Sequence, residues 1–312
     1  MADVHVLLDE WIANVTDDEL LTELKAMKEA GDENAITDAF FQDLEFGTAG
    51  LRGTLGAGTN RMNIYTVGRA TQGFAEYLVK NFENPTVAIA RDSRNNGELF
   101  VKTAAAIFAA NGVTAKLYPK ISPVPTLSWA VRDLACSGGV CVTASHNPAQ
   151  YNGYKAYGPD GCQIASEVAD AISAAIAGVD MWNGIKSMDF DEAVAAGKIE
   201  WIGDDCLERY YDAVVDKSVC NLTEEESASA PLKLVYTPLN ARALFPLRRC
   251  STRWASPISP WFRSRRTRMA TSPPARTPTP RFARPCRRAS TCARRSIPTC
   301  CSQPTRMPTA WA

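Results

Sequence analysis

Thr86-Val87-Ala88-Ile89-Ala90, followed by the polar turn Arg91-Asp92-Ser93-Arg94-Asn95-Asn96-Gly97, is the stretch that decides the fold class. A short apolar run that stops abruptly at a polar turn reads as a strand buried on both faces. Leu99, Val101, Ala104, Ile107 and Phe108 then recur at helical spacing, and Asn111-Gly112 closes that helix. Further outward, Thr114 to Tyr118 reads as a second strand. Pro125 stands where a second helix starts, and Trp129, Val131 and Leu134 continue it. Gly139-Val140-Cys141-Val142 is a third strand, leading straight into Thr143-Ala144-Ser145-His146. The β-α-β-α-β order predicts an α/β fold with a helix-covered, largely parallel/mixed sheet. In such sheets ligands sit beyond the carboxyl ends of the strands. Arg91–Gly97 and Thr143–Pro148 both fall there, so position alone nominates them as site loops.

On the amino-terminal side, the first forty-odd residues read as helices. Thr16-Asp17-Asp18-Glu19 is a capping-box pattern, and Leu20, Leu21, Leu24 and Met27 follow at helical spacing before Gly31. A further short helix runs through Ala39-Phe40-Phe41. On the carboxyl side a helix from Val168 to Ile176 ends the first domain, and a polar bridge around Asp189–Gly197 leads to a helix near Leu207–Val215. Leu232-Lys233-Leu234-Val235-Tyr236 reads as the first strand of a second α/β unit. The expected division is N-terminal helices over 1–45, the first α/β domain over 46–190, the start of a second over 205–240, and a distinct tail over 241–312.

That tail is set apart by charge. The 312 residues hold 34 basic and 34 acidic side chains, yet residues 241–312 contain 16 Arg and no Lys, Asp or Glu. The first 240 residues therefore carry a net charge of −16. No apolar run approaches the ~20 residues that span a bilayer, and no basic region followed by an apolar stretch opens the chain. The expectation is a soluble, cytoplasmic protein without a membrane partner. The ten cysteines lack metal-ligand or redox spacing, so reduced and often buried thiols are expected.

The chemistry concentrates in Thr143-Ala144-Ser145-His146-Asn147-Pro148-Ala149-Gln150-Tyr151-Asn152-Gly153-Tyr154-Lys155. A serine on a tight turn at a strand end presents its hydroxyl to solvent. Asn147-Pro148 enforces that turn and Gly153 permits another. A phosphate on Ser145 would bring about −1.5 to −2 charges at pH 7, for which Lys155, Arg52 and a divalent metal are suitable neutralisers. By spacing alone the same residues read equally well as a plain turn, with His146 a hydrogen-bonding loop residue. Arg91 and Arg94 could touch phosphate, but an Asp–Arg network that fixes the loop is the favoured reading.

The stretch from Thr143 through Tyr157-Gly158-Pro159-Asp160-Gly161-Cys162-Gln163-Ile164 resembles the phosphoserine signature of the α-D-phosphohexomutases. Phe46-Gly47-Thr48-Ala49-Gly50-Leu51-Arg52-Gly53 is similar to the first loop of that family, in the form of its phosphoglucomutase and phosphopentomutase branch. Arg61-Met62-Asn63 and Arg91-Asp92-Ser93-Arg94 also stand where members carry similar residues, and the likeness covers about residues 40–240. The resemblance implies that Ser145 is the phosphorylated serine and lends a phosphate oxygen to Mg²⁺. Lys155 is then the general base or acid, Arg52 stabilises the transferring phosphoryl group, and His146 orients or assists. The implied reaction interconverts a sugar 1-phosphate and 6-phosphate through a sugar bisphosphate. A sugar-phosphate-binding remnant without catalysis is the alternative.

After Thr237-Pro238-Leu239-Asn240 the family continues Gly-Thr-Gly, whereas this chain reads Ala241-Arg242-Ala243. Loss of one base after the Asn240 codon reconciles the two. Ala241 to Phe245 then becomes compatible with Gly-Thr-Gly-Leu-Val, and Pro304 to Ala312 with Asp-Pro-Asp-Ala-Asp-Arg-Val-Gly. Within the second match, Met307-Pro308 forces the Ala and Trp311-Ala312 forces the final Gly. Asp-Pro-Asp-Ala-Asp-Arg is the family's metal-binding loop, three carboxylates that suit Mg²⁺. Residues 241–312 are thus read as a frameshifted, disordered tail rather than a nucleic-acid-binding arm. A chain without that loop is expected to be an inactive, truncated mutase.

Overall fold

In a computed structural model of the protein, residues 3–48 and 50–217 are described. The strand expected at 232–236, the part of the expected second domain beyond residue 217 and the tail lie outside the described residues.

The chain opens with α1 (Val4–Asn14), α2 (Asp18–Ala30) and α3 (Glu33–Phe40). Their shared core gathers Leu8, Trp11, Leu24, Ile36 and Phe40. The capping of α2 differs from the expected Thr16 box. Asp17 is the cap, accepting from the Leu20 N–H at 3.0 Å. Thr16 is drawn away because its N–H donates to the Tyr65 hydroxyl at 2.8 Å.

The sheet is built from β1 (Leu51–Thr54), β2 (Thr86–Arg91), β3 (Thr114–Leu117), β4 (Gly138–Val142), β5 (Tyr151–Tyr157) and β6 (Ile199–Trp201). Its order is β1-β5-β4-β2-β3-β6. β4, β2, β3 and β6 run parallel, while β5 is antiparallel to both β4 and β1. The mixed α/β class matches expectation. β1, β5 and β6 were not legible as strands, because their residues carry the glycines and charges of site loops or run for only three positions.

Helices cover both faces. α4 (Ile64–Asn81), α5 (Gly97–Ala110) and α7 (Ser166–Gly178) pack on Val87, Ile89, Val140, Val142 and Tyr154. α6 (Val124–Asp133) covers Ala88, Ala90, Cys141 and Tyr157 on the other side. The alternation along β2 and β4 sends successive residues to the two cores, which is why both strands read as unbroken apolar runs. The polar bridge expected at Asp189–Gly197 is instead partly the short helix α8 (Phe190–Ala195). Asp189 caps it by accepting from the Asp191 and Glu192 N–H groups, both at 2.9 Å, so the polarity marked a cap rather than a linker. Cys136, Cys141 and Cys206 are buried, while Cys162 is exposed.

α9 (Asp204–Asp216) is pinned to α6 through Arg209, which holds Asp133 at 2.6 Å and Asp205 at 2.8 Å. Hydrogen bonding to Arg209 keeps both carboxyl groups below the usual carboxylate range. A lowered pKa means that the folded state holds the charged form more tightly than the unfolded chain does. The stabilisation is therefore present above the ordinary value of about 4 and is lost as pH falls through the lowered values. Acid unfolding monitored by circular dichroism should become less steep in Arg209→Gln below about pH 4, since that pH-linked term is removed.

Candidate active site

The site grows from the carboxyl end of β4. Val142 is the last residue of the strand, and the Thr143 N–H still donates to Gly153 O at 2.8 Å across β5. The backbone then turns. The Ser145 N–H donates to the Thr143 hydroxyl oxygen at 2.9 Å, and Ser145 takes a left-handed conformation with φ 56°. Such a φ is uncommon outside glycine and costs free energy, so neighbouring contacts must hold it. The Asn147 N–H donates to Ala144 O at 3.1 Å and the Tyr151 N–H to Pro148 O at 3.0 Å, closing the two turns that lead into β5. Ser145 and His146 are exposed, and the serine hydroxyl lies 3.3 Å from His146 Nδ1.

The reading of Gly153 as a second turn is not what the structure shows. Gly153 sits inside β5 opposite Arg52. A side-chain carbon there would stand 2.6 Å from Thr143 O and 2.8 Å from Leu51 O. The glycine lets three strands close up at the point where the serine loop leaves the sheet. Gly50 serves the same approach: its φ is +73°, and a Cβ would lie 1.9 Å from Tyr154 O.

Arg52 and Lys155 come from this three-strand joint. Lys155 is opposite Cys141 on β4. Arg52 and Lys155 alternate with Leu51 and Tyr154, which face the α4 core, so both cations project from the other side of the sheet. As diagonal neighbours across an antiparallel pair they stand roughly 7–8 Å apart in backbone position. Among the described residues neither side chain has a hydrogen bond or ion pair, in contrast to Arg61, Arg69, Arg91 and Arg209, each committed to a carboxylate. Two uncommitted cations thus stand on β1 and β5, next to the strand from which the exposed serine loop leaves.

Arg91 and Arg94 follow the network reading. Arg91 pairs with Glu98 at 3.0 Å. Arg94 lies 3.4 Å from the fully buried Asp92 carboxylate and is itself 8% exposed. Its guanidinium donates to Pro148 O and Tyr151 O at 2.9 and 2.7 Å. It also reaches Ala144 O, Ser145 O and Asn147 O at 3.4, 3.0 and 2.6 Å. The Asn152 amide, fully buried, donates to Asn95 O at 2.9 Å and ties the same loop to β5. Arg61-Met62-Asn63 has a structural role too. Arg61 binds Thr54 and Asp38, while Asn63 caps α4 and donates to Gly56 O and Gly58 O.

Among the described residues no group of three or more His, Cys, Asp or Glu side chains could hold a metal ion. Asp92, the carboxylate built into the loop framework, is engaged by Arg94. The described side chains therefore offer Mg²⁺ no carboxylate cage.

The fold and this joint define an α/β/α domain that presents a serine loop at the end of β4, next to strands carrying two free cations. Residues 43–181 match the model described as Phosphoglucomutase/phosphomannomutase, alpha/beta/alpha domain I. Over those residues the chain is similar to domain I of the phosphoglucomutase/phosphomannomutase family. A phosphoglucomutase of Staphylococcus saprophyticus is 33% identical over 234 residues, covering 75% of this chain and 41% of that protein. A phosphopentomutase of Mus musculus is 39% identical over 162 residues, covering 49% of this chain and 26% of that one. The crystal structure of a phosphoglucomutase/phosphomannomutase family protein from Burkholderia thailandensis has a TM-score of 0.52 at 21% identity, a likeness of fold. It covers 69% of this chain and 43% of that one. The chain spans less than half the length of these curated relatives. Among the described residues no helix is long and apolar enough to cross a membrane.

Proposed function

We propose that this domain carries the phosphoryl-donor serine of a sugar-phosphate mutase of the phosphoglucomutase and phosphomannomutase type. The observation behind the proposal is the exposed, left-handed Ser145 beside two cations, Arg52 and Lys155, that no described carboxylate neutralises. In the proposed reaction the bond between Ser145 Oγ and phosphorus breaks as a sugar hydroxyl oxygen takes the phosphoryl group. In its neutral amine form Lys155 takes the hydroxyl proton as general base and becomes the ammonium. The departing Ser145 Oγ picks up a proton from solvent, and Arg52 offsets the negative charge on the phosphoryl oxygens. Positioning and electrostatic stabilisation supply most of the rate in such transfers. His146 orients the serine oxygen through its Nδ1 contact. The sugar bisphosphate so formed reorients and returns its other phosphoryl group to Ser145. Mg²⁺ belongs to the proposal as the expected counter-ion of the phosphorylated serine.

Incubating residues 1–312 with a hexose 1,6-bisphosphate tests this directly. Intact mass is expected to rise by one phosphoryl group in the unsubstituted chain and to stay unchanged in Ser145→Ala. Binding of the bisphosphate without any mass gain would instead favour a sugar-phosphate-binding remnant. Sustained conversion of a sugar 1-phosphate in a coupled assay is not expected from this polypeptide, which has no Asp or Glu from 241 to 312 to supply the family's carboxylate loop.

A further inference from the structure

The five carbonyl groups that converge on Arg94 are more than a turn needs for its own hydrogen bonds. Two backbone pairs already close the loop, Asn147 to Ala144 and Tyr151 to Pro148. Arg94 adds a fork that gathers the oxygens of Ala144, Ser145, Asn147, Pro148 and Tyr151 on one side. That side is buried, since the Arg94 side chain is 8% exposed and Asp92 is wholly enclosed. Ser145 is on the exposed side of the same loop. The loop is therefore polarised across its thickness, with carbonyl oxygens turned inward and the serine side chain turned outward.

A carbonyl oxygen carries partial negative charge and repels a phosphate dianion nearby. Without the fork, the Ser145 and Asn147 carbonyls, which the two backbone pairs do not hold, would be free to rotate towards water on the face that bears Ser145. We propose that Arg94 is a positioning residue for the Ser145 phosphate: by holding the loop carbonyls on the buried side, it keeps the outer face clear of oxygens that would repel a phosphoryl group. Asp92 serves Arg94 in turn. Its carboxylate accepts the Arg94 backbone N–H at 2.8 Å and faces the guanidinium, so the buried pair is electrically neutral and acts through geometry rather than net charge. Lysine is no substitute here, because a single ammonium lacks the planar fork that spans several acceptors.

The inference rests on Ser145 carrying phosphate, so the test installs that phosphate independently of any enzymatic transfer. Phosphoserine is incorporated at position 145 during biosynthesis of the full chain, and its second ionisation is followed by phosphorus NMR. The comparison is between the unsubstituted background and D92N/R94M, which removes the buried pair without changing net charge. The midpoint, near about 6 for an unperturbed phosphoserine, is expected to move up by about half a pH unit in D92N/R94M, a roughly threefold change in the ionisation constant. A role confined to stability would lower the urea midpoint and leave the phosphate titration of the folded protein where it was. That result would overturn the proposal. If D92N/R94M does not fold, as read by circular dichroism, R94K keeps the charge and loses the fork. The same upward move is then expected, and an unchanged midpoint counts against Arg94 equally. Failure of bisphosphate to phosphorylate Ser145 would tell against the proposed function without touching this measurement.

Discussion

Gly153→Val is expected to cost at least about 3 kcal/mol, the upper range for forcing side-chain volume into a packed interior, and to leave little folded protein in urea titrations. Even the Cβ atom has no room, with Thr143 O at 2.6 Å and Leu51 O at 2.8 Å. Both obstacles are backbone, so no rotamer change relieves them. Relief would require β5 to move away from β1 or from the exit of β4. Either movement separates Arg52 from Lys155 or loosens the Thr143 bond that launches the serine loop. Gly153→Ala is the milder version. It should retain more of the fold while still disturbing the site, so its phosphoserine-145 form should show altered phosphorus shifts before any large loss of stability.

Trp11→Ala is the second large effect, expected at about 3–5 kcal/mol for removal of a buried indole. Trp11 is 2% exposed and meets Phe40, Tyr65 and Trp182 edge to face, with ring centroids 5.7, 5.7 and 5.4 Å away. These partners come from α3, α4 and the segment after α7, so one side chain ties the helical layer to the sheet domain. Differential scanning calorimetry should show a lower midpoint for the variant. Native-state hydrogen exchange should show the α1–α3 amides losing protection first, because the β2 and β4 cores do not touch Trp11. Equal loss of protection in β2 and α1 would mean that the two layers unfold as one unit.

The central parallel strands were plain in the sequence because β2 and β4 are buried on both faces and contain little but apolar residues. β5 was hidden by its own chemistry. Asn152, Gly153 and Lys155 are poor strand formers in isolation, and each is there for a contact that only the folded sheet supplies: the tie to Asn95, the close approach to Thr143, and a cation beside the serine loop. Gly153 shows the limit well. A glycine near Asn147-Pro148 signals a turn locally, whereas its actual constraint comes from β1, a hundred residues earlier. Ser145, His146, Lys155 and Arg52 could be picked out by residue type and resemblance, and the structure brings them to one end of the sheet. The Arg94 fork was legible only as an Asp–Arg pattern. Its acceptors are backbone oxygens fifty or more residues away, and backbone oxygens leave no mark in a sequence.

The contact between Trp11 and Trp182, reinforced by the Trp182 indole N–H donating to Glu10 at 2.8 Å, also sets a timetable. During synthesis the first three helices leave the ribosome well before residue 182 exists. They must wait with an indole face uncovered while the intervening strands are made, and domains generally fold as units once their chain is available. For this protein the earliest part of the nascent chain is among the last to be sealed. Its exposure to chaperones and proteases is therefore governed by how quickly the ribosome reaches the far end of the domain.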